Sequence, residues 1–224
     1  MKTLYIQNNF VKQPTFKFTI PKKLTRNESE LKYYRQYHPY LTQRGISENT
    51  ANIYDIGFDS VNNQITFPIR DKDKNCLGIG RRDIYKKMYR YPEGMVKPLY
   101  GVYELPRHIN YLYIVEGPFN LWSLYEYSQP GVALLGTGTG NQYKQLLDIQ
   151  CNGYILALDP DDAGRKGINK LSNFLYQNNK TNILVPELPE NKDINDLVPQ
   201  EFFNLNYITI NEWKNKYKYL LQTN

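Results

Sequence analysis

Tyr154-Ile155-Leu156-Ala157-Leu158-Asp159-Pro160-Asp161-Asp162-Ala163-Gly164-Arg165 is the stretch on which the reading of this chain turns. An unbroken apolar run of this length reads as a strand buried on both faces, and the acids, proline and glycine after it mark the strand's exit. Residues 163–177 then return apolar side chains at helical spacing. The same rhythm recurs on either side. Residues 111–115 form an apolar strand ending in Glu116-Gly117, and 119–127 read as a helix. Residues 131–135 are a second strand running into Gly136-Thr137-Gly138-Thr139-Gly140, 142–149 are helical, and 182–185 are a further strand. Apolar strands alternating with helices specify an α/β fold with a parallel sheet flanked by helices. The aromatic and basic tail over 200–222 reads as one helix that packs back on this unit.

In an open parallel sheet, chemistry gathers beyond the carboxyl ends of the strands. Here that edge collects Glu116, Asp159 and Asp161, with Asp193 and Asp196 in the loop after the strand at 182–185. Asp159 and Asp161 are two apart in a turn and can converge on one cation, with Glu116 arriving from the neighbouring strand. Crowded carboxylates repel one another, and a divalent cation relieves that cost. Hard oxygen ligands favour Mg²⁺ or Mn²⁺, the ions suited to phosphoryl transfer. Two plainer readings stand beside this one. Asp161 or Asp162 can cap the following helix, and Glu-Gly is an ordinary strand exit. The loop with Gly136, Gly138 and Gly140 lacks the Gly-Lys-Ser/Thr of a P-loop. It suits either a close approach of backbone to phosphate or a simple strand-to-helix turn.

Upstream the chain changes character. Residues 1–30 are polar, with Pro14 and Pro21, and read as an arm or tail. Residues 30–44 carry Leu31, Tyr34, Tyr37 and Leu41 at helical steps, Gly45 ends that pattern, and Ser47 caps a short helix through Tyr54. Residues 64–70 and 76–84 form a hairpin about Asp71-Lys72-Asp73-Lys74-Asn75. This turn is not a calcium loop, because Cys76 stands where glycine is needed and Arg82 where the closing glutamate should be. The net charge of +6 is unevenly spread. Residues 1–110 hold 19 Lys and Arg against 10 Asp and Glu, and residues 111–224 hold 9 against 12. A basic half joined to a mildly acidic one suits a protein that grips a polyanion with one part and holds cations with the other. Arg81, Arg82, Lys86, Lys87 and Arg90 are interleaved with Tyr85, Tyr89 and Tyr91, a pattern for holding a single strand by its phosphates and bases. The plain alternative is a solvated charged surface with its tyrosines packed inward. His38 and His108 read as structural. Cys76 and Cys151, far apart in sequence, each sit in a segment that reads as a strand or its edge, and no Cys/His spacing fits zinc. With 41% hydrophobic residues the chain affords a core. No apolar run approaches the roughly 20 residues of a membrane span, so a cytoplasmic protein with no membrane partner is expected.

The runs Ile114-Val115-Glu116-Gly117, Leu135-Gly136-Thr137-Gly138 and Leu158 through Arg165 resemble the Toprim domain, shared by bacterial primases, topoisomerases, small maturases and some nucleases. Tyr40-Leu41, Arg44-Gly45-Ile46, Ile65-Thr66-Phe67-Pro68-Ile69-Arg70-Asp71, residues 78–82 and Leu99-Tyr100-Gly101 resemble the basic subdomain of bacterial-type, DnaG-like primase cores. Lys192-Asp193-Ile194-Asn195-Asp196-Leu197 resembles their Lys-Asp element. The likeness runs over about 37–198 and points to a short form of the kind phages and plasmids carry, whose cytoplasm would be the host's. It implies an arm over 1–30, a basic mixed α+β subdomain over 31–110, a Toprim-type domain over 111–198 and a helical segment over 199–224. It further implies template-directed synthesis of short RNA primers on single-stranded DNA from ribonucleoside triphosphates, by two-metal nucleotidyl transfer. Glu116, Asp159 and Asp161 would be catalytic metal ligands, and Asp193, with Asp196 beside it, would help hold a second Mg²⁺ or Mn²⁺. Arg81, Arg82 and Lys97 would contact template, nucleotide phosphates or primer. The pattern departs at Asn120 and Asn195, where primases carry acids. No zinc module precedes and no helicase segment follows, so a separate replicative helicase and a separate zinc-binding module are implied as partners. Two rival expectations are a Toprim nuclease using the same acids and a nucleic-acid-binding module with a decayed site.

Overall fold

The computed structural model describes residues 26–221. The arm expected over 1–30 therefore lies outside the described residues as far as 25, and its last five residues form a short helix, α1 (Arg26–Glu30). The single helix expected over 30–44 does not form. A 3₁₀ turn at Leu31–Tyr33 follows α1, the chain opens, and α2 begins at Pro39 (Pro39–Gln43). Proline disfavours helical backbone in the residue before it, and His38 is extended there, at φ −113° and ψ 137°. Its Nδ1 accepts the Tyr40 N–H at 3.1 Å and its ring stacks on Phe58. Ser47 caps α3 (Glu48–Ile53) as the sequence predicts, taking the Thr50 N–H on its hydroxyl.

Four antiparallel strands follow in simple order: β1 (Gly57–Asp59), β2 (Gln64–Arg70), β3 (Cys76–Asp83) and β4 (Tyr89–Arg90). All seven residues of β2 are buried, because β1 and β3 cover its edges and neighbouring elements cover both faces. The second sheet has order β6-β5-β7-β8-β9. It comprises β5 (Ile109–Val115), β6 (Gly131–Ala133), β7 (Cys151–Leu156), β8 (Ile183–Pro186) and β9 (Tyr207–Thr209). The first four pair in parallel, and β9 runs antiparallel on β8. The tail is thus not one helix: α7 (Pro199–Phe203), β9, α8 (Ile210–Lys216) and α9 (Lys218–Leu221) share it. The three residues of β9 are held by pairing with β8, a long-range contact that no local periodicity encodes.

Alternate residues of β5 enter two different cores, as the two-residue period of a strand requires. Tyr113 and Val115 face a cluster with Phe67, Phe119, Trp122 and Phe202, which fuses the two sheets through α4 (Pro118–Glu126). Leu112 and Ile114 face the other cluster, under α5 (Gly140–Leu147), α6 (Asp162–Gln177) and α8, with Tyr143, Leu171 and Trp213. Trp122, fully buried, touches Phe67 of β2 edge-on and donates its indole N–H to the Tyr100 hydroxyl at 3.1 Å. No helix among the described residues is long and apolar enough to cross a membrane. The two cysteines lie in different sheets, at the starts of β3 and β7.

Candidate metal centre and nucleic-acid surface

The carboxyl ends of β5 and β7 lie side by side, so their exits bring Glu116 and Asp159 together. Gly164 lets α6 start against this pair. A β-carbon there would collide with the Asp159 carbonyl oxygen and lie 3.0 Å from Glu116 Oε1. That explains why glycine stands at 164: any larger residue there would push the helix off the strand ends. Asp161 is the N-cap of α6, accepting the Gly164 N–H at 2.7 Å. Capping occupies one of its oxygens, and the residue remains exposed. Arg165 ties the same turn from below, donating to the Pro160 carbonyl at 2.8 Å and to Asp162 at 2.9 Å.

The electrostatics are those of uncompensated charge. Burial, then Asp159 and Asp161, push the Glu116 carboxyl up to about 7, although the Asp159 N–H donates to it. Burial, then Asp193 and Asp161, push Asp159 up to about 6, opposed by a hydrogen bond from Asn120. Asp193 is raised by burial and by Asp196, with Arg44 opposing. Its carboxylate caps a 3₁₀ turn at Ile194–Asp196, accepting the Asn195 N–H at 2.9 Å and the Asp196 N–H at 3.1 Å. Asp196 faces Arg44 at 3.3 Å and also accepts the Asp193 N–H at 3.3 Å. Glu116 Oε1 is buried without a hydrogen-bond partner. Among the described residues no three acid, His or Cys side chains are already drawn into a metal-ligating cluster. The acids feel one another through the field without sharing ligand geometry. A buried, unpartnered carboxylate oxygen among repelling carboxylates is nevertheless what a divalent cation would satisfy, and hard oxygen donors suit Mg²⁺ or Mn²⁺. The residues present fit such an ion.

The glycine loop borders this edge. The Gly136 N–H donates to the Glu116 carbonyl at 3.1 Å, and Leu135, Gly136 and Gly138 all have positive φ. Gly138 admits the Tyr143 ring, whose hydroxyl donates to the Thr137 carbonyl at 3.0 Å. Gly140 opens α5, which Thr139 and Gln142 cap reciprocally. The Gln142 amide, fully buried, donates to the Pro98 and Leu134 carbonyls at 2.8 Å each and so locks the loop to the segment at Pro98. Lys97 stands over the loop with its ammonium on the Leu135 carbonyl at 2.7 Å and above the Tyr91 ring, and burial lowers its pKa.

The basic cluster divides in two. Lys86, Lys87 and Arg90 are exposed on the hairpin joining β3 to β4, as is Tyr85. Arg81, half-buried, donates to the Tyr34 hydroxyl at 3.3 Å and lies over that ring. Arg82 does not belong to the open surface. It is buried, 4.2 Å over the Phe119 ring and also over Tyr89, with its Nε and Nη1 unpartnered. β-Strand alternation sends Arg81 and Arg82 to opposite faces. Tyr89 and Tyr91 stack on one another and pack inward, so only Tyr85 presents its ring to solvent among the three interleaved tyrosines. Arg44, marked in the sequence only as part of a family motif, and Ser123, which no pattern marks, border the acid edge rather than this basic cluster. Both reach that edge only through tertiary contacts with the turn at 193–196.

Residues 113–198 match the model of a Toprim-like family. The chain is similar to the DNA primase of Escherichia coli (strain K12), 31% identical over 180 residues that cover 70% of this chain and 31% of that protein. It is also similar to the DNA primase of Buchnera aphidicola subsp. Baizongia pistaciae, 29% identical over 199 residues covering 82% of this chain and 34% of that one. The chain spans about a third of the length of these curated relatives. Among solved structures it resembles the DnaG primase catalytic domain bound to single-stranded DNA, with a TM-score of 0.63, 24% identity, and coverage of 78% of this chain and 75% of that one.

Proposed function

Because this chain carries a Toprim-like domain over 113–198 and is a homologue of the bacterial DNA primases, we propose that it makes short RNA primers on single-stranded DNA by metal-dependent nucleotidyl transfer. The observation that carries the reading is the uncompensated acid edge, with Glu116 Oε1 buried and unpartnered beside Asp159. Glu116, Asp159, Asp161 and Asp193 are the residues that would hold divalent cations. Asp196 is better suited to bracing Arg44 than to a cation, since both its oxygens are engaged. Bound there, Mg²⁺ or Mn²⁺ would neutralise triphosphate charge and favour attack by a 3′-hydroxyl.

The chain's own groups supply the rest. Lys97, whose ammonium is partly desolvated at the glycine loop, offers a cation to a phosphate entering that loop. Exposed Lys86, Lys87 and Arg90 track template phosphates, and Tyr85 offers a face for a base. Arg82, sandwiched by rings, holds Phe119 and Tyr89 in place and keeps two N–H donors for a phosphate or carboxylate that reaches it. Ribonucleoside triphosphates are the substrates on this reading, and a replicative helicase and a zinc-binding module act with it.

The test is incubation of the purified chain with single-stranded DNA, Mg²⁺ or Mn²⁺ and labelled ribonucleotides, beside an Asp159→Ala/Asp161→Ala variant. Short RNA made only by the natural chain is the expected result. Metal-dependent shortening of the DNA with no RNA would overturn it in favour of a nuclease.

A further inference from the structure

Positions 120 and 195, where the primase pattern carries acids, hold asparagines here, and the structure joins them. The Asn195 backbone N–H donates to Asn120 Oδ1 at 3.1 Å. A backbone N–H can only donate, so this bond fixes the orientation of the Asn120 amide. Its Nδ2 is then the end that donates to Asp159 Oδ1, at 3.1 Å. The Asn195 amide is fixed in the same way, because its Nδ2 meets the Arg44 carbonyl at 2.8 Å and the Ser123 hydroxyl at 2.7 Å. Asn120 and Ser123 are each only 4% exposed. One chain of amide hydrogen bonds therefore ties the Asp159 turn, α4, the 193–196 turn and the end of α2.

Carboxylates could not make these bonds. An ionised aspartate at 120 has no donor for Asp159 and would add a charge to Glu116, Asp159, Asp161 and Asp193. An aspartate at 195 would lose both donations and turn an oxygen toward the Arg44 carbonyl. An acid at 120 would sit against Asp159 only with a further cation between the two, and an acid at 195 would leave the Arg44 carbonyl without its donor. We propose that Asn120 and Asn195 are positioning residues that replace such a cation: they clasp Asp159 to the Asp193 turn, so that without nucleotide the site assembles around one metal ion. The clasp rests on the metal-dependent reading of the acid edge.

The test is Mn²⁺ binding by calorimetry and thermal unfolding of the whole chain, without nucleotide. The natural chain is expected to bind one Mn²⁺. Asn120→Asp/Asn195→Asp should bind two, and its metal-free midpoint should fall by roughly 3–8 °C and recover when Mn²⁺ is added. Asn120→Leu should show a similar fall, should still bind one Mn²⁺, and should gain from it no more than the natural chain gains, so that its deficit persists. Two Mn²⁺ on the natural chain, or a double variant with an unchanged midpoint and one Mn²⁺, would overturn the clasp while leaving the metal reading in place. No Mn²⁺ on any of the three would overturn the metal reading itself.

Discussion

Arg70 of the antiparallel sheet and Glu116 at the end of the parallel sheet are both ionisable groups drawn out of water, and the fold treats them oppositely. Burial pulls the Arg70 guanidinium down, but Glu28 and Asp55 outweigh it and hold the group above its ordinary value, with contacts of 2.8 and 2.6 Å. Glu116 has only like charges around it and is pushed up to about 7. A buried charge that is paired on the spot is structural. One left unpaired among its own sign is a cost that persists until a ligand of opposite charge arrives. The contrast is what supports the proposed site at the carboxyl edge of the parallel sheet, although both regions hold several charged side chains.

Four experiments put this contrast at risk. The largest effect belongs to Asp159→Ala/Asp161→Ala, expected to cut primer synthesis by about 10³-fold or more, equivalent to roughly 4 kcal/mol. Its metal-free thermal midpoint should not fall by more than the lost Asp161 cap accounts for, because repulsion is removed with the acids. A general collapse of the fold in unfolding scans would show these acids to be structural after all. Next comes Trp122→Ala, which empties the contact between the two sheets and should cost about 3–5 kcal/mol of stability by denaturant titration. A single transition with a lower midpoint is expected; two separate transitions would mean that the sheets fold independently.

Arg70→Met tests the paired side of the contrast. Glu28 and Asp55 are each about 30% exposed and can rehydrate, so the loss should be near 1–3 kcal/mol, with primer synthesis kept within about threefold, or roughly 0.7 kcal/mol. The smallest effect concerns Glu104. Burial raises it from 4.5 to about 7, with Asp55 adding and Arg70 and Lys74 opposing, and the Tyr54 and Tyr100 hydroxyls lie in its field. The folded chain holds this proton more tightly than the unfolded chain, so the group's stabilisation is complete below about 4.5 and is lost as pH rises through about 7. Unfolding midpoints of the natural chain, measured across that window with Mg²⁺ present, should drop by a few degrees more than those of Glu104→Gln. Parallel pH profiles would remove Glu104 from the account.

The acids were legible because their positions come from local pattern. An apolar run is a strand, the polar residues after it are its exit, and three exits on one parallel sheet share an edge. Ser47 and Asp161 were legible as caps for the same reason: an N-cap acts on residues two or three places along. The basic cluster was legible only as composition. Which of Arg81 and Arg82 sees solvent depends on the face β3 turns toward α4, and Phe119 covering Arg82 comes from 37 residues further along the chain. The helix expected over 30–44 breaks because the steric constraint that Pro39 imposes on His38 overrides the apolar spacing.

The order of residues was enough for the α/β class, the strand exits and the acids that share them, because these rest on periods of two and 3.6 residues and on the few residue types that a turn tolerates. Which charges are paired was settled by the folded chain alone. The ion pair of Arg70 with Glu28, the ring cage of Arg82, the antiparallel β9 on β8, and the amide chain from Asp159 through Asn120 and Asn195 to Arg44 all join residues far apart in sequence. Hydrogen bonds and charges act over a few ångströms of space. Until the chain is folded, nothing in the order of residues says which of them will lie that close.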